Sequence, residues 1–155
     1  MTDTDVRSLR RAADYQFGGG AGATLFPALD GIEITHTSSG RPRQVHADDG
    51  RLVTYGTDGR YRLGLAGGRR LQESFDAPRH RVVVGDESEP FVREGRNAFA
   101  KFVKRADPGL RPGDEALVVH EDGDLLAVGR AELPGEGMAD FETGMAVKVR
   151  DGAED

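Results

Sequence analysis

The chain of 155 residues contains no cysteine and no tryptophan, and only 6% of it is aromatic. Without cysteine there are no disulfides, no thiolate metal ligands and no cysteine nucleophile, which fits a reducing, cytoplasmic setting. Without tryptophan the core has to come from Val, Leu, Ala and Phe. No run of 18 apolar residues exists, and the opening MTDTDVRSLRR has no apolar signal core, so neither a membrane span nor a secretory leader is expected. Lysine is scarce as well: Lys101, Lys104 and Lys148 are the only three, and the other cations are arginine. Few lysines among many Asp and Glu suit an acidic surface in a salt-rich cytoplasm. A GC-rich genome favours the same composition.

Catalytic signatures are also missing. His36, His46, His80 and His120 form no HxxxH or HExxH pair. His36 and His46 can face each other across a hairpin, but two imidazoles alone make a poor metal site. The acidic pairs Asp48-Asp49 and Glu121-Asp122, with Asp124, fall on hairpin turns, where turn chemistry accounts for them. The run GGGAGA at 18–23 has neither the preceding strand nor the following Lys-Ser/Thr of a phosphate loop and reads as a flexible connection. No enzyme, metal or cofactor is expected.

What is present is uneven charge. The net charge is −6, yet residues 79–111 carry eight basic and five acidic side chains, and residues 112–155 carry three basic and twelve acidic. A locally basic segment in an acidic chain points to an anionic partner more directly than the total does.

That basic segment has a legible order. Val82, Val83 and Val84 are β-branched and short, as in a buried strand. Gly85 and Asp86 break it, Pro90 suits the first turn of a helix, and Gly95 suits its end, where φ is usually positive. Asn97 to Arg105 then alternates as a second strand, with Phe99, Lys101, Val103 and Arg105 on one face and Ala100, Phe102 and Lys104 on the other. A glycine-ended turn beside Arg93, Arg96, Lys101, Lys104 and Arg105 offers backbone amides near cations, a combination suited to phosphate and nucleic acid.

Along the chain, Val6, Leu9, Ala13 and Phe17 recur at helical spacing. Short alternating runs follow from Ile32 to Leu65, with hairpin signals at Asp49-Gly50 and Asp58-Gly59. They predict a small antiparallel sheet with one packed helix. Gly67-Gly68 closes that sheet, and Leu71 to Phe75 forms a helical turn. Asp76-Ala77-Pro78 reads as a boundary. The second half is strand-rich: 116–119, a tight turn at Asp122-Gly123, 125–129, a helical turn at 138–141 and a last strand from Gly144. Strands at this spacing predict a small barrel. The fold class is therefore α+β, with domains at 1–78 and 79–152 and a frayed tail, placed at 153–155 and extending back to Asp151.

The second half resembles the PUA domain, a small RNA-binding pseudobarrel with short helices. The resemblance rests on RVVVGDESEPFVREGRNAFAKFV, ADPGLRPGDEALVV, LLAVGRAEL and GMAVKVRDG, in that order from about Arg79 to Gly152. Within that family it is most similar to the C-terminal part of archaeosine tRNA-guanine transglycosylases. LRRAADYQFGGGAGATLF at Leu9–Phe26 resembles the domain that precedes PUA there. The resemblance implies RNA binding, with tRNA as the expected RNA, through Gly95 with Arg96 and Asn97 beside it, Phe99, Lys101 and Phe102 on the next strand, and Lys148 and Arg150 on the last. It does not carry over the family's catalysis, since neither the catalytic barrel nor the cysteine-rich zinc site has a counterpart in this sequence. The reading is a non-catalytic tRNA-binding protein, with a separate tRNA-modifying enzyme subunit as the expected partner. The alternative is a protein-interaction or regulatory subunit whose PUA-like fold does not bind RNA, which the acidic segment after Pro112 favours.

Overall fold

The computed structural model describes residues 3–27 and 31–154. They divide into two compact units, Met1–Ser74 and Phe75–Asp155.

The first unit begins with helix α1 (Asp3–Phe17), followed by α2 (Ala21–Leu25). Val6, Leu9, Ala13 and Phe17 are all buried, so the apolar stripe on α1 faces the core. A four-stranded antiparallel meander follows, of β1 (Ile32–His36), β2 (Pro42–Ala47), β3 (Gly50–Tyr55) and β4 (Tyr61–Leu63), in that spatial order. Helix α3 (Leu65–Ser74) ends the unit. One side chain ties α1 to β4: the Gln16 amide donates to the Tyr61 carbonyl (2.8 Å) and accepts from the Tyr61 N–H (2.7 Å). The buried Tyr61 hydroxyl donates to the Leu9 carbonyl at 2.9 Å. Burial raises the pKa of that phenol far above its usual value.

Three local expectations change. The glycine-rich run at 18–23 is not a flexible connection, because α2 packs in the groove of α1. Gly22 has no room for a Cβ against the Arg10 backbone, and its N–H donates to Asp14 Oδ1 at 2.7 Å. The strand expected to reach Leu65 stops at Leu63, and Gly67 and Gly68 lie inside α3 instead of closing the sheet. Glycine is needed there because the helix backbone rests directly on the Leu52 carbonyl of β3. His36 and His46 do not face each other: His46 stands opposite Glu33, and His36 opposite Pro42.

The second unit is a six-stranded sheet of order β6-β10-β9-β8-β5-β7. Its elements are β5 (Arg81–Val84), helix α4 (Glu89–Arg93), β6 (Ala98–Phe99), a 3₁₀ turn (Ala100–Phe102), β7 (Val103–Ala106), β8 (Glu115–His120), β9 (Leu125–Ala131), a second 3₁₀ turn (Met138–Asp140) and β10 (Met145–Gly152). Only β5 and β8 pair in parallel; every other pair is antiparallel. The two edge strands, β6 and β7, are joined through the first 3₁₀ turn, which draws the open sheet into a nearly closed pseudobarrel. Val82, Val84, Val92, Val118, Leu126, Met138 and Val147 fill its interior.

This closure explains why Asn97–Arg105 is not one continuous strand. The chain must pass from the β10 side of the sheet to the β5 side, and it turns at Ala100, whose N–H donates to the Gly144 carbonyl at 2.9 Å. The turn breaks the expected alternation: Phe99 and Lys101 are exposed, whereas Val103 is buried. The frayed tail is also revised. Asp151 and Gly152 belong to β10, and Ala153 is buried, with its N–H bound to the Leu126 carbonyl at 2.8 Å. Asp155 lies outside the described residues.

Replacing Gly67 by Ala tests the contact between α3 and β3. Helix propensity alone would make the change favourable by about 1 kcal/mol. The clash with the Leu52 backbone predicts instead a loss of roughly 2 kcal/mol in denaturant unfolding, as overpacked sites show.

Candidate nucleic-acid interface

Helix α4 is only five residues long, and its end is tightly specified. The Gly95 N–H donates to the Val92 carbonyl (2.9 Å) and the Arg96 N–H to the Phe91 carbonyl (3.0 Å). This is the paired Schellman arrangement, and Gly95 supplies its positive φ of 99°. It brings Phe91 and Arg96 together, with the guanidinium 5.8 Å from the ring centroid. Around Gly95 there is open space. Behind the turn, Asn97 Oδ1 accepts the Val149 N–H of β10 at 2.9 Å. Gly152 of β10 has no room for a Cβ against the Arg93 carbonyl. The last strand thus lies directly beside this turn.

Aromatic rings emerge on this face. Phe91 is 51% exposed and Phe99 46%. Phe102 is half-buried, with Lys101 Nζ 5.0 Å from its ring centroid. Neither Phe99 nor Phe102 is a fully buried core residue. Phe91, Phe99 and Phe102, with Arg96, Glu87 and Ser88, line a hollow of about 210 Å³. A shallower neighbour of about 420 Å³ shares Phe99 and Phe102 and is completed by Lys101, Glu142 and Thr143. Phe141, next to Glu142, is exposed as well. Flat apolar surface rimmed by guanidinium and ammonium groups can stack a planar ring and attract an anion at once.

The structure sorts the eleven residues singled out in the sequence. Arg96, Asn97, Phe99, Lys101 and Phe102 line the hollows, and Gly95 precedes Arg96 on the turn beside them. Asn97 holds the turn to β10. Lys104 reaches Glu87 at 3.7 Å, Arg105 is exposed on β7, and Lys148 is exposed on β10 opposite Arg130. Arg93 and Arg150 are bound up inside the unit. Arg93 pairs with Glu89 (2.9 Å) and Asp124 (3.5 Å) and donates to the Ala153 carbonyl (3.2 Å). Arg150 makes a two-pronged pair with Glu115, both distances 2.8 Å, and the Glu115 side chain is only 4% exposed. Sequence reasoning did not single out Phe91 or Phe141. Phe91 had little signal, since neighbours on a helix lie only about 100° apart and nothing in the sequence says which of Phe91 and Val92 turns inward. Phe141 had none, because its exposure depends on how the second 3₁₀ turn lies.

Residues 80–153 match the PUA domain family, and the pseudobarrel carries that match in three dimensions. The second unit is a PUA domain. Residues 7–78 match the patch-forming domain C2 of tRNA-guanine transglycosylase. The two units together correspond to the C-terminal region of the archaeal tRNA-guanine(15) transglycosylases. The chain is 47% identical over 148 residues to that enzyme from Pyrococcus abyssi, covering 95% of this chain and 25% of the relative. With the enzyme of Methanothermobacter thermautotrophicus it is 43% identical over 153 residues, covering 97% and 23%. The chain therefore spans about a quarter of the length of the curated relatives it matches. Among solved structures, a hypothetical protein of Pyrococcus horikoshii shares the fold with a TM-score of 0.71 at 23% identity, covering all of this chain and 93% of that one. A PUA domain protein of Thermoplasma acidophilum does so with a TM-score of 0.64 at 19% identity, again covering 100% and 93%. Among the described residues, no helix is long and apolar enough to cross a membrane.

Arginines with different duties should respond differently to truncation. Arg150→Ala removes the partner of a buried carboxylate and is expected to lower the unfolding free energy by about 2 kcal/mol or more. Arg96→Ala, on the surface, is expected to change it by less than about 0.5 kcal/mol. Urea unfolding of both variants checks the contrast.

Proposed function

We propose that this chain binds tRNA through the face built around Gly95, as a non-catalytic cytoplasmic module that presents tRNA to a modifying enzyme. The observation that carries this reading is the grouping of Phe91, Phe99 and Phe102 with Arg96 and Lys101 around one open glycine turn, on a PUA domain. The match to tRNA-guanine(15) transglycosylases supports tRNA as the RNA class, in the context of archaeosine formation. Apolar hollows favour an unpaired base over continuous duplex, since a base in a duplex keeps its faces stacked and hidden. The cations contribute phosphate attraction, which salt weakens. In a salt-rich cytoplasm, stacking and hydrogen bonds would carry most of the affinity.

The test is binding of total tRNA to the purified chain at about 0.2 M and again at about 1 M KCl. Retained binding at high salt is expected, with a loss of roughly tenfold or more in Phe99→Ala, in line with the worth of one stacked base. Arg96→Ala, Lys101→Ala and Lys148→Ala combined should weaken binding chiefly at the lower salt. Binding unchanged in both variants would remove this face from the reading. Absence of tRNA binding at either salt would favour a protein partner, for which the acidic segment after Pro112 is the motivating feature.

A further inference from the structure

The parallel pair β5 and β8 places Val84 beside His120, so both strands leave the sheet at one end. The loop after β5 turns back over that end and carries Asp86 and, at the start of α4, Glu89. His120 Nε2 lies 2.6 Å from Asp86 Oδ1 and 3.9 Å from Glu89 Oε1. All three potential ligand atoms fall within 4.8 Å of one another. The imidazole is fixed, with its side chain only 11% exposed, whereas Asp86 is 93% exposed and meets the ring through a hydrogen bond to Nε2 that an ion would replace.

The surroundings match what a metal ligand set requires. His120 Nδ1 lies 3.0 Å from Asp122 Oδ1. In the free protein Nδ1 also accepts the Asp122 backbone N–H at 3.0 Å, so an ion on Nε2 would move the ring proton to Nδ1 and exchange that donor for the Asp122 carboxylate, the kind of acceptor that orients imidazole ligands in metal centres. Glu89 divides its two oxygens: Oε2 pairs with Arg93 at 2.9 Å, and Oε1 faces His120. Arg93 thus fixes the rotamer of Glu89 without occupying the ligand oxygen. Asp86, Glu89, Asp122 and Asp124 face one guanidinium and one imidazole, which leaves local negative charge for a cation to offset.

We propose that Asp86, Glu89 and His120 bind a divalent first-row transition-metal ion of the zinc or manganese type, outside the face assigned to RNA. One imidazole nitrogen with two carboxylate oxygens suits these ions better than magnesium or calcium, which take oxygen alone. Three protein ligands leave at least one position for water. The bound ion would fasten the loop at 85–88 and the first turn of α4 to the end of β8. Glu87 and Ser88 of that loop line the aromatic hollow, so the ion would stiffen one wall of it.

The test uses the whole chain, stripped with a chelator, and titrates ZnCl2 and MnCl2 separately in calorimetry and thermal unfolding. One ion per chain and a rise in Tm are expected with at least one of the two salts, unaffected by a large excess of magnesium. Asp86→Asn, at an exposed position that does not threaten folding, should weaken affinity at least about tenfold, and His120→Gln likewise. Asp122→Asn, which removes only the orienting carboxylate, should cost roughly tenfold. No binding of either ion, or binding undiminished in both Asp86→Asn and His120→Gln, would overturn the site.

Discussion

Much of the second unit depends on one pairing, the parallel contact between β5 and β8. Parallel neighbours cannot be joined by a tight turn and require a long crossover. Here the crossover runs from Gly85 to Asp114 and contains α4, β6, the first 3₁₀ turn and β7. The same segment closes the barrel, carries Arg96 and Lys101 of the candidate face and bears most of the exposed aromatic surface of the unit. A second long connection, residues 132–144 between β9 and β10, adds Glu142 and Thr143 to the neighbouring hollow. The candidate interface is therefore a by-product of topology, built from the connections with side chains to spare.

Much of this was legible from local signals. The turns at Asp49-Gly50, Asp58-Gly59 and Asp122-Gly123 separate the strands they were expected to separate. Gly95 ends α4 with the positive φ its position implied. The four-stranded meander and the strand-rich barrel follow from alternation and turn chemistry alone. What was not legible depends on partners remote in sequence. Gly22 and Gly67 look like breakers, yet they are helical because another backbone lies against them. Alternation through Asn97–Arg105 could not reveal the 3₁₀ turn, because the need to cross between sheet edges is a property of the closed sheet.

Charge was the least legible feature. Arg93 and Arg150 look as available as Arg96 in the sequence, but Glu89 and Glu115 hold them. Acidic residues near a basic patch can repel the same ligand or discipline the cations, and only geometry separates the two. His120 is similar. Nothing in the sequence links it to Asp86, 34 positions away, and only the parallel register brings them together.

The end of α4 also bears on the dynamics of recognition. Two backbone hydrogen bonds fix the spacing of Phe91 and Arg96, and the guanidinium already rests over the ring before anything binds. A flexible arginine on a loop gives up rotational freedom when it meets a ligand. Here the Phe91 ring already offers the Arg96 guanidinium a resting place, although the side chain stays 70% exposed, so part of that ordering is present before a planar partner arrives. Encounter would be governed by diffusion and charge, with little folding coupled to it. A lysine at position 96 would keep the charge but lose this readiness, because an ammonium has no plane to lay over a ring.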